Sequence, residues 1–342
     1  MENKTSSSLS IEQKGEEPPS LRNNLLFSKS LPIGTMDSFL VCSDIEIVRD
    51  ITQAKEIWHQ FMPAQTFFDT WEFRFAFYEA YKHEPYFMVL KKDQEILALL
   101  PLWYEQEEKK YFWFGSDWQE EVRFFTKKPE HIACLLKNAP SPLFLNGIEE
   151  KSANSIKDFI NFEPDSSKYI LNVESFKNHE DYLVTLKKNT RRNLRKDRNH
   201  IIKLNPQITL NNFKDIEELI RLSKDRMTQK NQEADWLDPR RQETFRNVIK
   251  FAGKSYNIKM ITIKINNKVA GVDLVVLFGT TYITVKCGYN VKEFSGIGNY
   301  MNLFEIDDAI NLKMKKIDFL QNNYTWKSGL FESVKLFKYE KP

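Results

Sequence analysis

Cysteine, long apolar runs and charge of one sign are all scarce in this chain, and each scarcity closes off a class of protein. Only three cysteines occur, Cys42, Cys134 and Cys287, widely spaced and odd in number. That fits neither a disulfide framework nor a zinc cluster, and it points to a reducing compartment. No run of about 18 apolar residues is present, and the opening MENKTSSSLSIEQKGEEPPSLRNN has no apolar core, so neither a membrane span nor a signal peptide is expected. The balance of 50 basic and 47 acidic side chains leaves a formal charge of +3. Nothing global therefore calls for DNA or an anionic membrane, and any anion site has to be local. His59, His83, His131, His179 and His200 show no ligand spacing, so no metal is expected. A cytoplasmic location is what these absences leave.

What is present is enough apolar material, 41% of 342 residues with 13% aromatic, to build two domain cores. Residues 1–43 are polar and rich in Ser, Glu and Pro, and are expected to form a disordered tail. Two stretches with the same grammar follow, over 44–175 and 176–342. In the first, IEIVRD reads as a strand, ITQAKEIWHQF and FFDTWEFRFAFYEAYK as helices, and YFMVLKKDQEILALLPLWYEQEEKKYFWFGS as a three-stranded antiparallel meander. PEHIACLLKNA and SPLFLNGI add a helix and a strand. In the second, helical patterns at about 180–200, 213–228 and 238–253 precede the meander IKMITIKINNKVAGVDLVVLFGTTYITVKCGYN, and a helix over 299–315 leads to the strand KIDFL. Setting Met88 against Met260 brings Ile96 within one residue of Val269. The pattern fits either duplication of one α/β (α+β) unit, a mostly antiparallel mixed sheet flanked by helices, or two α/β domains that merely share helices and hairpins.

The halves differ in glycine. Of 11 in the chain, Gly288, Gly296 and Gly298 crowd into GYNVKEFSGIGN before a helical pattern, where the first half has only GSDWQEEVRFF. Glycine permits positive φ and close approach of a ligand, and a helix start offers free N–H groups to a phosphate. Ordinary turn punctuation accounts for such a cluster equally well.

The order of helices, three-stranded meander, glycine-containing loop, helix and strand resembles the GCN5-related N-acetyltransferase (GNAT) fold. More closely, FFDTWEFRFAFYEAYKHEPYFMVLKKDQEILALLPL, TRRNLRKDRN, KVAGVDLVV, GYNVKEFSGIGNYMNLFEIDDAI and YTWKSGLF resemble tandem GNAT proteins of the FemAB-like group, including acetyltransferases of cellulose biosynthesis. The resemblance spans about 45–335. It implies an N-acyltransferase that moves an acyl group from acetyl-CoA or another acyl-CoA to an amino group of a sugar nucleotide or cell-envelope precursor. Aminoacyl-tRNA as donor, and a non-catalytic binding protein on the same scaffold, are the alternatives. The resemblance places the donor pyrophosphate at Ser295, Gly296, Ile297, Gly298 and Asn299. It also places an acceptor-site lysine at Lys327, with Tyr324 or Tyr289 as proton donor to the departing thiolate.

Several residues invite roles on their own chemistry. Asp273 stands in VAGVDLVVLFG, apolar on both faces of the strand, so burial is expected to raise its pKa towards that of a general base; the structural alternative is a pair with Lys286, which also serves as a candidate substrate ligand. In LKKNTRRNLRKDRNH a single helix is expected to pack Leu183, Leu186, Thr190 and Leu194 inward. Its other face would present Arg191, Arg192 and Arg195 to an anionic acceptor, or to solvent. Cys287 is expected to be a buried small residue rather than a nucleophile.

Overall fold

Period-two runs become strands and period-three-to-four runs become helices in the computed structural model, which describes residues 44–61, 64–116, 118–229, 235–322 and 326–342. The expected tail over 1–43 and Tyr324 lie outside the described residues. The first half contains β1 (Ile45–Val48), α1 (Ile51–Gln60), α2 (Trp71–Tyr81), β2 (Glu84–Lys92), β3 (Glu95–Glu105) and β4 (Lys110–Trp113). It continues with β5 (Phe125–Thr126), α3 (Pro129–Asn138), β6 (Leu143–Glu149), α4 (Glu150–Ser155) and β7 (Glu163–Pro164). Next come β8 (Lys168–Asn172), α5 (His179–Thr185), α6 (Lys188–Lys203), β9 (Gln207–Leu210), α7 (Ile216–Gln229) and α8 (Pro239–Phe251). The chain closes with β10 (Asn257–Ile265), β11 (Lys268–Phe278), β12 (Thr281–Tyr289), α9 (Ile297–Asn311), β13 (Lys316–Asp318), β14 (Glu332–Val334) and β15 (Leu336–Lys341).

Local chemistry sets many of these boundaries. Asp50 caps α1 by accepting from Gln53 N at 2.8 Å, Asp238 caps α8, and both α3 and α8 start on proline. Asn266 and Asn267, at φ 50° and 61°, make the two-residue turn between β10 and β11, the conformation that asparagine tolerates and a tight hairpin needs.

Two sheets result, ordered β1-β2-β3-β4-β6-β15-β7, with β5 on β3, and β14-β8-β13-β12-β11-β10-β9. In each, the meander's last strand pairs parallel with the strand after the next helix, β4 with β6 and β12 with β13. The duplication extends to an irregularity. The β2–β3 ladder slips between Leu90↔Ala98 and Lys91↔Ile96, and the β10–β11 ladder slips between Ile263↔Gly271 and Lys264↔Val269, each position displaced by the same 173 residues. The halves also exchange strands. β15, from the end of the chain, pairs with β6 in the first sheet, whereas β8, which precedes the expected junction at 175/176, pairs with β13 in the second.

Equivalent helices meet at the seam. α2 packs on α8 through Phe77 and Phe245, 6.4 Å between ring centres, and Phe75 and Phe251, 5.8 Å. Buried Phe73, Phe87, Trp103, Leu219, Phe245 and Val272 belong to one apolar cluster that crosses between the sheets, so burial that stabilises one half stabilises the other.

One expectation needs correction. The helix predicted over 180–200 is two, broken at Leu186–Lys187, because the Thr185 hydroxyl turns back to Tyr182 O at 2.7 Å and Leu186 N to Leu183 O, ending α5. Among the described residues no helix is long and apolar enough to cross a membrane.

Candidate active site between diverging strands

β12 and β13 pair only from Thr281↔Lys316 to Ile283↔Asp318. β12 then runs on to Tyr289 while the chain beyond Asp318 bends away through Leu320 at φ 62°. The parted strands leave main-chain groups without a ladder partner, and buried groups of that kind need another one. In the first half the equivalent gap is filled by the chain itself. Val122 forms a parallel bridge with Ile148, donates to Gly147 O at 2.7 Å and accepts from Glu149 N at 3.0 Å. Gly147 is required there, with φ 65° and a Cβ position 2.2 Å from Gln119 O.

In the second half side chains satisfy the parted backbone. Lys327 Nζ donates to Phe319 O, Leu320 O and Gln321 O at 2.7, 3.3 and 2.6 Å, and Glu120 Oε2 accepts from Gln321 N at 2.6 Å. Expected at an acceptor, Lys327 is instead buried with its ammonium directed at three carbonyls. Burial lowers its pKa, opposed by Glu120. Burial also pushes Glu120 up to about 7, against the Gln321 N–H and Lys327. Beside them Lys168 ties Asp318 and Glu121 together at 2.6 Å each. Lys286 lies on aromatic rings, its Nζ 3.7 Å from the centre of Trp118, 5.3 Å from Trp236 and 5.6 Å from Phe245. It does not pair with Asp273: the β11–β12 register sets Asp273 opposite Cys287 and Lys286 opposite Leu274.

Asp273 is buried, as its apolar strand predicts, but it is enclosed. The Tyr289 hydroxyl donates to its Oδ2 at 2.6 Å, and the buried carboxyl of Glu305 of α9 lies beside it and acts on it. Two carboxyls in contact need a proton between them. Burial raises Asp273 to about 7, and burial with the neighbouring Asp273 raises Glu305 well above the usual range. Tyr289 is likewise raised by burial and by Asp273. Cys287 is solvent-exposed, contrary to expectation. The protein mass around its sulfur, with Asp273 alongside, still pushes the thiol up to about 12, so it is no thiolate at neutral pH.

Two of the clustered glycines have a packing reason, whereas a Cβ at Gly298 would meet only an ordinary contact. A Cβ at Gly288 would stand 2.6 Å from Leu219 O of α7, and Gly296, at φ 86°, would bring one within 2.8 Å of Asp197 Cβ. Gly298 receives the Tyr289 ring, 3.4 Å from its Cβ position. Gly296 caps α9, so the N–H groups of Gly298 and Asn299 have no helical acceptor. Ser295 is exposed and Ile297 buried. The helix start is not an open anion cradle, however, because Asp197 of α6 stands against it and accepts from Asn299 Nδ2 at 2.7 Å. On the same helix Arg195 is bound to Glu180 at 2.6 Å, Arg191 donates to Val184 O, and Arg192 is exposed.

Sequence reasoning passed over Glu120, Asp197 and Glu305. Glu305 had a signal, because it lies between Met301 and Ala309 at four-residue spacing on the buried face of α9. Asp197 is the lone acid among the cations of α6. Glu120 had none.

Residues 188–328 match the Acetyltransferase (GNAT) domain family. No curated protein matches the sequence. Among solved structures, a conserved protein of unknown function from Bacteroides thetaiotaomicron VPI-5482 aligns at TM-score 0.57 and 12% identity, over 86% of this chain and 98% of that one. FemX aligns at 0.56 and 9%, over 86% and 97%. A tandem GNAT protein from the clavulanic acid biosynthesis pathway aligns at 0.51 and 7%, over 87% and 99%. At such identities the likeness is one of fold. With the acetyltransferase-domain match confined to 188–328 and a duplicated sheet in the first half, the chain has the fold of tandem GNAT proteins.

Proposed function

We propose that the chain transfers an acyl group, acetyl being the simplest, from acyl-CoA to an amino group on a sugar nucleotide or cell-envelope precursor, with 44–175 and 176–342 as the two copies. The observation that carries this is the gap beyond Ile283 and Asp318, bordered by Lys286 and Cys287, in the half that matches the acetyltransferase family. A thioester laid along the free edge of β12 replaces the missing strand contact. In this reading Ser295 to Asn299 hold the donor's phosphates, Arg191, Arg192 and Arg195 lie towards an anionic acceptor, and Lys286 stabilises the developing oxyanion. Tyr289 gives its proton to the departing thiolate, and the proton shared by Asp273 and Glu305 replaces it. Asp273 thus acts through Tyr289, since it is enclosed.

Asp197 favours a second reading. A carboxylate at the start of α9 opposes a pyrophosphate there, and an aminoacyl-tRNA donor needs no pyrophosphate at that point. Titration calorimetry and melting shifts with acetyl-CoA, desulfo-CoA and alanyl-tRNA separate the two, because only a ligand of the native state raises its stability. Micromolar binding of both CoA probes supports the first reading. Binding of alanyl-tRNA alone replaces it with the second.

A further inference from the structure

We propose that Glu120, a residue of the first half, accepts the proton of the amine that enters the site of the second half. The inference rests on acyl transfer to an amine as the reaction. Glu120 lies in the segment between β4 and β5, whose neighbouring Trp118 covers Lys286 of β12. One carboxylate oxygen is fixed by Gln321 N at 2.6 Å, beside the parted end of β13. The group is 8% exposed, whereas Asp273 is 2% and Glu305 0% exposed, so of these three carboxyls Glu120 is the most accessible to an incoming substrate.

Its surroundings suit the task. Lys327 from the loop before β14, Lys286 from β12 and Asp318 from β13 are the charges that act on it. Glu121 beside it is neutralised by Lys168 of β8. Two cations against one carboxylate favour the ionised form, while burial disfavours it and leaves the group titrating at about 7. An amine reaches a neutral-pH site as its ammonium, without a lone pair. Transfer of one N–H proton to Glu120 gives the neutral amine and a protonated carboxyl. The amine nitrogen then bonds to the thioester carbonyl carbon, the carbon–sulfur bond breaks, and sulfur leaves with the electron pair and takes the Tyr289 proton. The new amide nitrogen gives up its second N–H proton, which restores Tyr289, and Glu120 releases its own proton to solvent.

Glu120→Gln keeps an oxygen for Gln321 N and removes the basic site. With acetyl-CoA as donor and D-glucosamine and a UDP-linked amino sugar as acceptors, this variant should lose about 10²-fold in kcat. The acidic limb near pH 7 should disappear, with calorimetric affinity for acetyl-CoA and melting temperature unchanged. Glu120→Asp should keep the limb at reduced rate, which a purely structural role would not require. If wild type transfers and Glu120→Gln retains its rate and pH profile, Glu120 is not the base and the reaction stands. A wild type that binds acetyl-CoA but acylates neither amine overturns both the reaction and the role of Glu120.

Discussion

Where the first half has Leu100, opposite Met88, the second half has Asp273, opposite Ile261, in the same register. The first copy's strand is apolar there, and its gap is filled by Val122 hydrogen-bonded to the backbone on either side of Ile148. The second copy's strand carries a carboxyl that needs Tyr289 and Glu305, and its gap is held by Lys327 and Glu120. Both solutions satisfy the parted backbone, but they differ in what they leave. A chain segment in the gap completes the sheet, whereas charged side chains leave the two strands parted beyond Ile283 and Asp318. The first copy contributes differently, by setting Trp118 on Lys286 and Glu120 on Gln321 N of the second.

The largest effect is expected where the polar solution is broken. Lys327→Met leaves three buried carbonyls without their donor, and each buried acceptor left unsatisfied costs about 1–3 kcal/mol. The melting temperature should fall by many degrees, and Lys327→Met with Glu120→Gln should recover part of it. A stable Lys327→Met with a raised acceptor KM would instead make Lys327 a substrate ligand, and the two gaps would no longer be alternative closures of one sheet.

Replacing the second copy's residue by the first's is the next test. Asp273→Leu should cost about 10²-fold in kcat, because Tyr289 loses its acceptor, while the fold is kept. Stability supplies the sign. Asp273 titrates at about 7 rather than 3.8, so it holds its proton more tightly in the native state than in the unfolded chain. That contribution is complete below the ordinary aspartate pKa and is lost as pH rises to about 7. Chemical denaturation of wild type should therefore show stability falling across this window. Asp273→Leu should flatten the slope and be at least as stable as wild type at pH 8. A destabilised variant with an unchanged slope would show that Asp273 is ionised and paired throughout.

How much of this was legible follows from range. The meanders, their hairpins and the helix after the glycine loop were readable because alternation, the Asn266–Asn267 turn and three-to-four spacing are local signals. Asp273 stood out because a carboxyl in an apolar strand is costly wherever that strand packs. The exchange of β8 and β15 was not readable, since Leu336–Lys341 and Leu143–Glu149 are brought together by topology alone. Glu120 meets Gln321 across 201 positions, and nothing in WQEEVRFF distinguishes it from its neighbour Glu121. The glycines were visible as a cluster, but the reasons for Gly288 and Gly296, Leu219 and Asp197, come from elements far away in sequence.

The smallest expected effect concerns the helix start that the second copy offers to a donor. Asp197 lies against Gly296 and accepts from Asn299 Nδ2, so its negative charge occupies the position where the α9 dipole and the N–H groups of Gly298 and Asn299 would otherwise face a phosphate. Asp197→Asn keeps an oxygen for Asn299 and removes only the charge. An ion at a helix end contributes about 0.3–1 kcal/mol where solvent reaches it, so affinity for CoA should rise by roughly two- to five-fold. The gain should shrink as salt is added, because screening weakens the repulsion it relieves. Calorimetry at low and high ionic strength measures both. Unchanged affinity at both would mean that CoA phosphates do not lie at this helix start. The loop would then owe its glycines to packing alone, and the contrast with the first half's GSDWQEEVRFF would concern how α9 seats on α6 and Tyr289 rather than how a donor is held.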